Sequence, residues 1–111
     1  MSCLFCKIIA KEIPASIVYE DANVLAFNDI APQAPVHVLV IPKKHIASID
    51  DMESSDLVKD LFVVLNKIAR DRGTCETGYR IVVNHGRDAG QAVPHLHFHL
   101  LGGRQLSWPP G

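Results

Sequence analysis

The chain has 111 residues, of which 48% are hydrophobic and 21% are charged, and its formal net charge is −1 at pH 7. A chain of this length encloses one hydrophobic core and not two, so we predict a single domain over residues 1–111 with a C-terminal tail over about 104–111. The near-neutral charge excludes the broad basic surface that holds nucleic acid or anionic lipid.

The sequence predicts a cytoplasmic location. No apolar run reaches the roughly 18 residues that cross a bilayer, and residues 1–14 lack the charged, apolar and small-residue regions of a signal peptide. The cysteines, Cys3, Cys6 and Cys75, form an odd set that argues against a disulfide framework. We therefore expect reduced thiols, as is usual in the cytosol.

The first half of the chain predicts a short helix and three strands. Residues 3–10 form the helix, with Ser2 as its cap, because their apolar residues recur at helical spacing. Two short apolar runs, residues 16–21 and 23–29, predict a β-hairpin. The β-branched segment Val36–Pro42 predicts a buried strand, which proline ends because it cannot donate a ladder hydrogen bond.

A long helix and two further strands complete the prediction. The helix runs from about Ser55 to Asp71, and Gly73 follows its end. Its apolar stripe is formed by Leu57, Leu61, Val64, Leu65 and Ile68. Residues 79–84 and 95–101 predict the last two strands. Strands grouped on either side of one long helix favour an antiparallel α+β sheet over a parallel one.

Three histidines alternate with apolar residues in the last predicted strand. His95, His97 and His99 would share one face of that strand, with the apolar residues between them in the core. The outer two would lie roughly 13 Å apart at ~3.3 Å per residue, so one metal ion with bonds of about 2.1 Å cannot bind all three. These residues are either a catalytic group or polar side chains on an exposed sheet face.

Alternating imidazoles suit covalent chemistry on phosphorus. A neutral imidazole is a good nucleophile near neutral pH and a good leaving group once it carries a phosphoryl group. Neighbouring imidazoles can donate hydrogen bonds to the phosphoryl oxygens or to the departing group.

The segment HLHFHLL resembles the alternating histidine signature of the histidine triad (HIT) superfamily. The segments FCKIIAKEIPASIVYED, FNDIAPQAPVHVLVIPKKHI and HLLGGRQLSWPPG are similar to its nucleotide-binding branch, the purine nucleoside phosphoramidases. The resemblance implies an α+β, HIT-like fold with an antiparallel sheet of about five strands, one long helix and one short helix. It also implies a homodimer across which the sheet continues.

Members of that branch bind purine nucleoside monophosphates and hydrolyse the P–N bond of adenosine 5′-phosphoramidates, and some cleave aminoacyl-adenylates. By resemblance, His97 is the nucleophile that forms a nucleotidyl-histidine. His99 and His95 would contact the phosphate or the leaving group, and His37 would orient and polarise the nucleophile. No metal is implied for catalysis.

The resemblance also implies a substrate site. Asp29, preceded by Asn28, would accept both ribose hydroxyls, because a carboxylate offers two acceptor oxygens. Asn84 would contact the phosphate or leaving group, and Trp108 would reach toward the partner's active site. The expected base-pocket walls are Leu4, Phe5, Ile8, Phe27, Ile30 and Leu39. The expected phosphate loop, whose backbone amides face the anion, is Gly90, Gln91, Ala92 and Val93.

A structural zinc site is a further expectation from the family. Cys3 and Cys6 form a CxxC pair, which alone is also compatible with redox chemistry or chance. Zinc-binding bacterial branches and the related uridylyltransferases add two histidines at the positions of His45 and His95, which would complete four ligands. Cys75 has no evident partner.

Two departures from the branch keep an alternative function open. Ala92 stands where many members have serine, and Pro94 stands where an aromatic residue is common. The alternative is a nucleotide-binding regulatory or scaffold protein with weak catalysis. A dinucleoside polyphosphate hydrolase is disfavoured by the WPPG ending, and a Cys/His interaction module leaves Asp29 unexplained.

Overall fold

The computed structural model describes residues 3–111. Its strands are β1 (Ile17–Glu20), β2 (Val24–Asn28), β3 (Val36–Pro42), β4 (Tyr79–Val83) and β5 (Phe98–Gly102). Its helices are α1 (Leu4–Ile9), α2 (Ser55–Asp71), α3 (Thr74–Thr77) and α4 (Gly86–Ala89), with a 3-10 turn at Ile49–Asp51.

The strands form one five-stranded sheet in the order β1-β2-β3-β5-β4. Every neighbouring pair is antiparallel, which confirms the predicted α+β class. The middle of the sheet is β3, paired with β2 on one side and β5 on the other. In this register Leu39 of β3 stands opposite His99 of β5, and β4 is an edge strand.

The long helix α2 covers one face of the sheet and has the predicted bounds. Ser54 caps its start by accepting a hydrogen bond from the backbone N–H of Leu57 at 3.2 Å. Its buried residues Leu61, Val64, Leu65, Ile68 and Ala69 pack against Leu96, Phe98 and Leu100. The apolar face predicted beside the histidines is therefore core. No helix within residues 3–111 has the length and apolar character needed to cross a membrane.

The short helix α1 covers part of the opposite face. Its N-cap is Cys3, whose sulfur accepts from the backbone N–H of Cys6 at 3.4 Å; the cap expected from Ser2 lies outside the described residues. The second core cluster is Cys3, Phe5, Ile8, Leu25, Phe27, Leu39 and Ile41. Because Leu39 is paired with His99, the histidine face of the sheet is the face that α1 covers.

The last strand begins later than predicted. It starts at Phe98, so His95 and His97 lie in the segment before it rather than within it. The backbone N–H of His95 donates to Val93 O at 2.8 Å, and that of Leu96 donates to Ile46 O at 2.6 Å. These bonds fold the segment against the β3–α2 connection and remove it from the sheet ladder.

Three short helical segments were not predicted from the sequence. They are the 3-10 turn, α3 and α4, each of three or four residues. Such single turns contain too few residues to establish a periodic apolar pattern.

Candidate active site and cysteine–histidine cluster

His97 is buried and its protonation is fixed by a main-chain group. Its Nδ1 lies 2.8 Å from the carbonyl oxygen of His95. A carbonyl oxygen only accepts, so Nδ1 carries the proton and the lone pair of the neutral ring is on Nε2. The ring edge of Phe5 packs against His97 with centroids 5.1 Å apart. His97 thus has the tautomer of a nucleophile.

His37 and His99 form a hydrogen-bonded chain that begins at a backbone N–H. The N–H of Gln33 donates to Nδ1 of His37 at 3.0 Å, so neutral His37 carries its proton on Nε2. That Nε2 lies 2.9 Å from Nδ1 of His99, which must accept. Neutral His99 therefore has its own proton on Nε2, where it can donate to a substrate.

His99 is held in the neutral form. Burial, together with the neighbouring rings of His97 and His37, lowers the pKa of His99 to about 4, against a smaller opposing effect of Asp29. Burial also lowers the pKa of His37, again opposed by Asp29. Both rings are neutral near pH 7, as the hydrogen-bonded chain requires.

The family resemblance assigns His37 to orienting His97, and the structure corrects this. The hydrogen bond of His37 goes to His99, and the group that orients His97 is the carbonyl of His95. His97 and His99 touch only through their rings, with centroids 5.1 Å apart.

The two neighbouring substrate residues expected from the family, Asn28 and Asp29, lie on opposite faces of the sheet. Asp29 lies on the histidine side, with Oδ2 3.5 Å from Nε2 of His37 and Oδ1 accepting from the N–H of Ala31 at 2.8 Å. The side chain of Asn28 instead bonds Ser16 at 2.9 Å and Arg72 at 3.4 Å. Asn28 therefore lies on the α2 side, away from the histidines.

The expected base pocket is only partly assembled. Phe5, Ile8, Phe27 and Leu39 are buried together, and the rings of Phe5 and Phe27 meet edge to face at 5.5 Å. Leu4 is 46% exposed and Ile30 is 98% exposed. The first four residues form an apolar wall beside His97, and the last two are left to solvent.

The remaining expected contacts lie at the ends of β4 and β5. Asn84 follows β4, and the loop from Gly90 to Val93 precedes His95. Trp108 is 78% exposed, and its ring lies over the guanidinium of Arg80 at 5.7 Å. Its expected approach to a partner's site stays a prediction.

The side chains of Cys3, Cys6, His45 and His95 form a second cluster. Their ligand atoms all lie within 4.8 Å of one another, with separations of 3.4 Å for Cys3–His95, 3.3 Å for Cys6–His45, 3.6 Å for Cys6–His95 and 3.1 Å for His45–His95. A tetrahedral zinc ion with Zn–S of about 2.3 Å and Zn–N of about 2.05 Å requires ligand separations of about 3.3 to 3.8 Å. Three of these separations lie within that range and the His45–His95 separation is 3.1 Å, slightly shorter, so the donor set and its spacing suit that ion.

The orientation of His95 supports the same fit. Its Nε2 lies 2.9 Å from the carbonyl oxygen of Pro42, so Nε2 carries the proton and the lone pair of Nδ1 points into the cluster. Both ring nitrogens are then engaged. The expected contact of His95 with a phosphate or leaving group is replaced by a place in the cysteine cluster.

A third group, Asp29, His37 and His99, also has its ligand atoms within 4.8 Å of one another. Its two imidazoles face each other head on, with nitrogens 2.9 Å apart and ring centroids 5.2 Å apart. In the cysteine cluster the nitrogens of His45 and His95 are farther apart, 3.1 Å, but the rings are closer, 4.9 Å. Only that second geometry lets two lone pairs converge on a third atom. The His37–His99 geometry is that of a hydrogen bond between two rings.

The residue pattern did not reveal the main-chain groups that form hydrogen bonds with the histidines. The N–H of Gln33 and the carbonyls of Pro42 and His95 fix three of the four rings. Every residue type has these groups, so no compositional signal could have found them.

The fold and site together define a small α+β protein with a buried histidine cluster beside a cluster of apolar side chains. A model of the HIT domain matches residues 10–106. A HIT-like protein of Synechococcus elongatus is 56% identical over 110 residues, covering 97% of this chain and 96% of that protein. The chain belongs to the HIT family.

Solved structures agree with this assignment. A HIT family hydrolase from Legionella pneumophila Philadelphia 1 has a TM-score of 0.97 and 54% identity, over 99% of this chain and 100% of that one. A histidine triad nucleotide-binding protein from Candida albicans has a TM-score of 0.85 and 37% identity, over 97% of this chain and 83% of that one.

The low pKa of His99 predicts a loss of stability in acid. Between its ordinary value of 6.5 and its folded value of about 4, the unfolded chain binds the proton better, so the contribution is intact above 6.5 and is lost as pH falls toward 4. We expect His99→Asn to reduce the fall in the free energy of unfolding between pH 7 and pH 5 by about 1–2 kcal/mol. Urea denaturation at the two pH values measures this.

The control is His85→Asn, since His85 is exposed and outside the His37–His99 chain. This variant should keep the acid sensitivity of the wild type. If His99→Asn lost as much stability between pH 7 and pH 5 as the wild type does, His99 would not be the cause of the acid sensitivity.

Proposed function

We propose that the protein is a nucleotide hydrolase that cleaves the P–N bond of adenosine 5′-phosphoramidates, and the P–O anhydride bond of aminoacyl-adenylates, through a nucleotidyl-histidine on His97. The observation that carries the proposal is the hydrogen bond of His97 Nδ1 to the His95 carbonyl at 2.8 Å, which leaves Nε2 as the nucleophile. The names of the two solved relatives, a hydrolase and a nucleotide-binding protein, support it.

The purine and ribose would occupy the α1 side of the sheet. Phe5 and Phe27, whose rings pack edge to face, would form the aromatic side of the base site. Asp29 is the carboxylate within reach of the histidines, and its oxygens suit two ribose hydroxyls. The α-phosphate would then lie between His97 and His99.

The first step forms the covalent intermediate. Nε2 of His97 attacks the α-phosphorus, an N–P bond forms, and the P–N bond to the amine breaks. The departing amine takes up one proton from water. The modified ring becomes cationic, and its Nδ1–H remains bonded to the His95 carbonyl, which stabilises that charge.

The second step regenerates the enzyme. Water attacks the phosphorus, the bond to His97 breaks, and AMP and one proton are released. Throughout, Nε2–H of His99 can donate to a phosphoryl oxygen, because its Nδ1 is occupied by His37. The low pKa of His99 keeps it a neutral donor and not a charged acid.

The competing function is nucleotide binding with weak catalysis. It is favoured by Ala92, which has no hydroxyl to offer the leaving amine. The two functions share the binding site and differ in whether His97 becomes modified.

Mass spectrometry of reaction mixtures that have been quenched without acid tests the covalent step. Wild-type protein mixed with an adenosine phosphoramidate should gain the mass of one adenylyl group on the peptide that contains His97, and acid should remove it because N–P bonds are acid-labile. His97→Ala should show no adduct and lose at least about 10³-fold in kcat, as expected when a nucleophile is removed. AMP binding without adduct or amine release in the wild type would instead identify the binding function.

We propose further that Cys3, Cys6, His45 and His95 hold a structural zinc ion. The separations of the four ligand atoms support this, as does the bond of His95 to Pro42. A bound zinc would supply folding energy by joining α1 to the β3–α2 connection and the triad segment. All four ligands come from the protein, so the site is closed to substrate.

Elemental analysis tests the zinc proposal. Protein purified without chelator should contain about one zinc per chain. The variant Cys3→Ser/Cys6→Ser should contain none and unfold at lower temperature, whereas Cys75→Ser, at an exposed cysteine outside the cluster, should match the wild type. Equal metal content in all three proteins would contradict the site.

We also propose a homodimer that continues the sheet through β4. This edge strand leaves backbone groups unpaired. Tyr79 of this strand is 37% exposed and bonds Asn66 of α2 at 3.4 Å. The same helix carries Phe62 and Val63, which are 42% and 56% exposed. A second copy would cover both the edge and these exposed apolar side chains.

Analytical ultracentrifugation tests the dimer. The chain mass is 12.2 kDa, and we expect sedimentation at twice that mass at micromolar concentration. A single species at the chain mass across all concentrations would exclude the dimer.

A further inference from the structure

One side chain holds the loop that precedes the triad. Oε1 of Gln91 accepts from the N–H of Gly86 at 3.0 Å, and Nε2 donates to the carbonyls of Ala47 at 2.8 Å and Val93 at 3.1 Å. The backbone N–H of Gln91 also donates to Gly86 O at 3.0 Å. This carboxamide joins the start of α4, the β3–α2 connection and the loop itself.

The chemistry of these bonds specifies an amide. The partner of Oε1 is a donor, and both partners of Nε2 are acceptors, so the carboxamide fits in one orientation only. A carboxylate in its place would direct an oxygen at two carbonyl oxygens. An apolar side chain of equal length would leave all three partners without their bonds.

The held loop carries two backbone donors that bond no other backbone group of the described residues. Within residues 3–111, the N–H groups of Ala92 and Val93 donate to no other backbone group. Gly90 supplies the left-handed turn before them, with φ of 76°. Beyond them, Leu96 N–H is anchored to Ile46 O at 2.6 Å. The two donors thus lie between fixed points, next to the triad.

We propose that Gln91 is a positioning residue whose side chain holds the N–H groups of Ala92 and Val93 for the phosphate of a nucleotide at His97. The inference rests on the proposed nucleotide-binding function. Gln91 acts through the loop, and its carboxamide, occupied by Gly86, Ala47 and Val93, does not contact the substrate. Its role is therefore different from that of a binding side chain.

The test compares ligands with and without a phosphate. Affinities for AMP and adenosine are measured by titration calorimetry for the wild type, Gln91→Met, Gln91→Glu and the control Asn23→Asp, an exposed turn residue. We expect the preference for AMP over adenosine to fall about tenfold in both Gln91 variants, equivalent to about one net hydrogen bond, and to stay unchanged in the control. A merely structural role would weaken the binding of AMP and of adenosine by the same factor. The Gln91→Met variant is neutral, so a loss of AMP preference in it cannot come from charge repulsion.

An unchanged AMP preference in a folded Gln91→Met protein overturns the inference alone. A wild type that binds neither ligand overturns the proposed function as well. Should neither variant fold, amide exchange in the wild type decides: the side-chain amide protons of Gln91 should exchange much more slowly than those of exposed Gln105. Equal exchange rates for the two would overturn the inference.

Discussion

Main-chain groups determine which nitrogen of each central histidine carries its proton. The carbonyl of His95 holds Nδ1–H of His97, and the carbonyl of Pro42 holds Nε2–H of His95. The N–H of Gln33 excludes a proton from Nδ1 of His37 and so sets the direction of its bond to His99. A neutral imidazole has one donor and one acceptor nitrogen, so fixing one nitrogen fixes the other. Similar residues thereby acquire different chemistry.

The fold brings these main-chain groups to one face of the sheet. β3 carries His37 near its start and ends at Pro42, so opposite ends of one central strand orient different histidines. β5 pairs with β3 and places His99 opposite Leu39. α1 then covers this face with Phe5 and encloses His97. Burial by these elements is also what lowers the pKa of His99.

The sequence predicted elements where burial produced a long periodic pattern. α2 and β3 have the predicted bounds because one apolar stripe and one β-branched run each correspond to a continuous buried surface. The triad segment shows the converse. Its alternation imitates a strand, yet the backbone of His95 and Leu96 bonds outside the sheet, and no side-chain pattern reveals that.

Prediction of the site succeeded or failed for equally physical reasons. The ligand-type side chains of the cysteine cluster could be named because their chemistry is visible in residue type, and the structure brings them within 4.8 Å. The sequence alone could have excluded Asn28 from the site that contains Phe27, because adjacent residues of one strand face opposite sides of the sheet. The hydrogen-bond partner of His37 could not be predicted, because the choice between His97 and His99 depends on distances in the folded structure.

His95 belongs to both clusters of the molecule. Its side chain belongs to the cluster with Cys3 and Cys6, whereas its carbonyl oxygen orients His97. The ring is tied to Pro42 as well as to the cluster, so its main chain is held from two directions. The cysteines can therefore influence His97 in two ways, through the position of that carbonyl oxygen and through Phe5, which lies between them in α1 and packs on His97. A shift of that oxygen would release Nδ1–H of His97, and with it the tautomer on which the proposed covalent step depends.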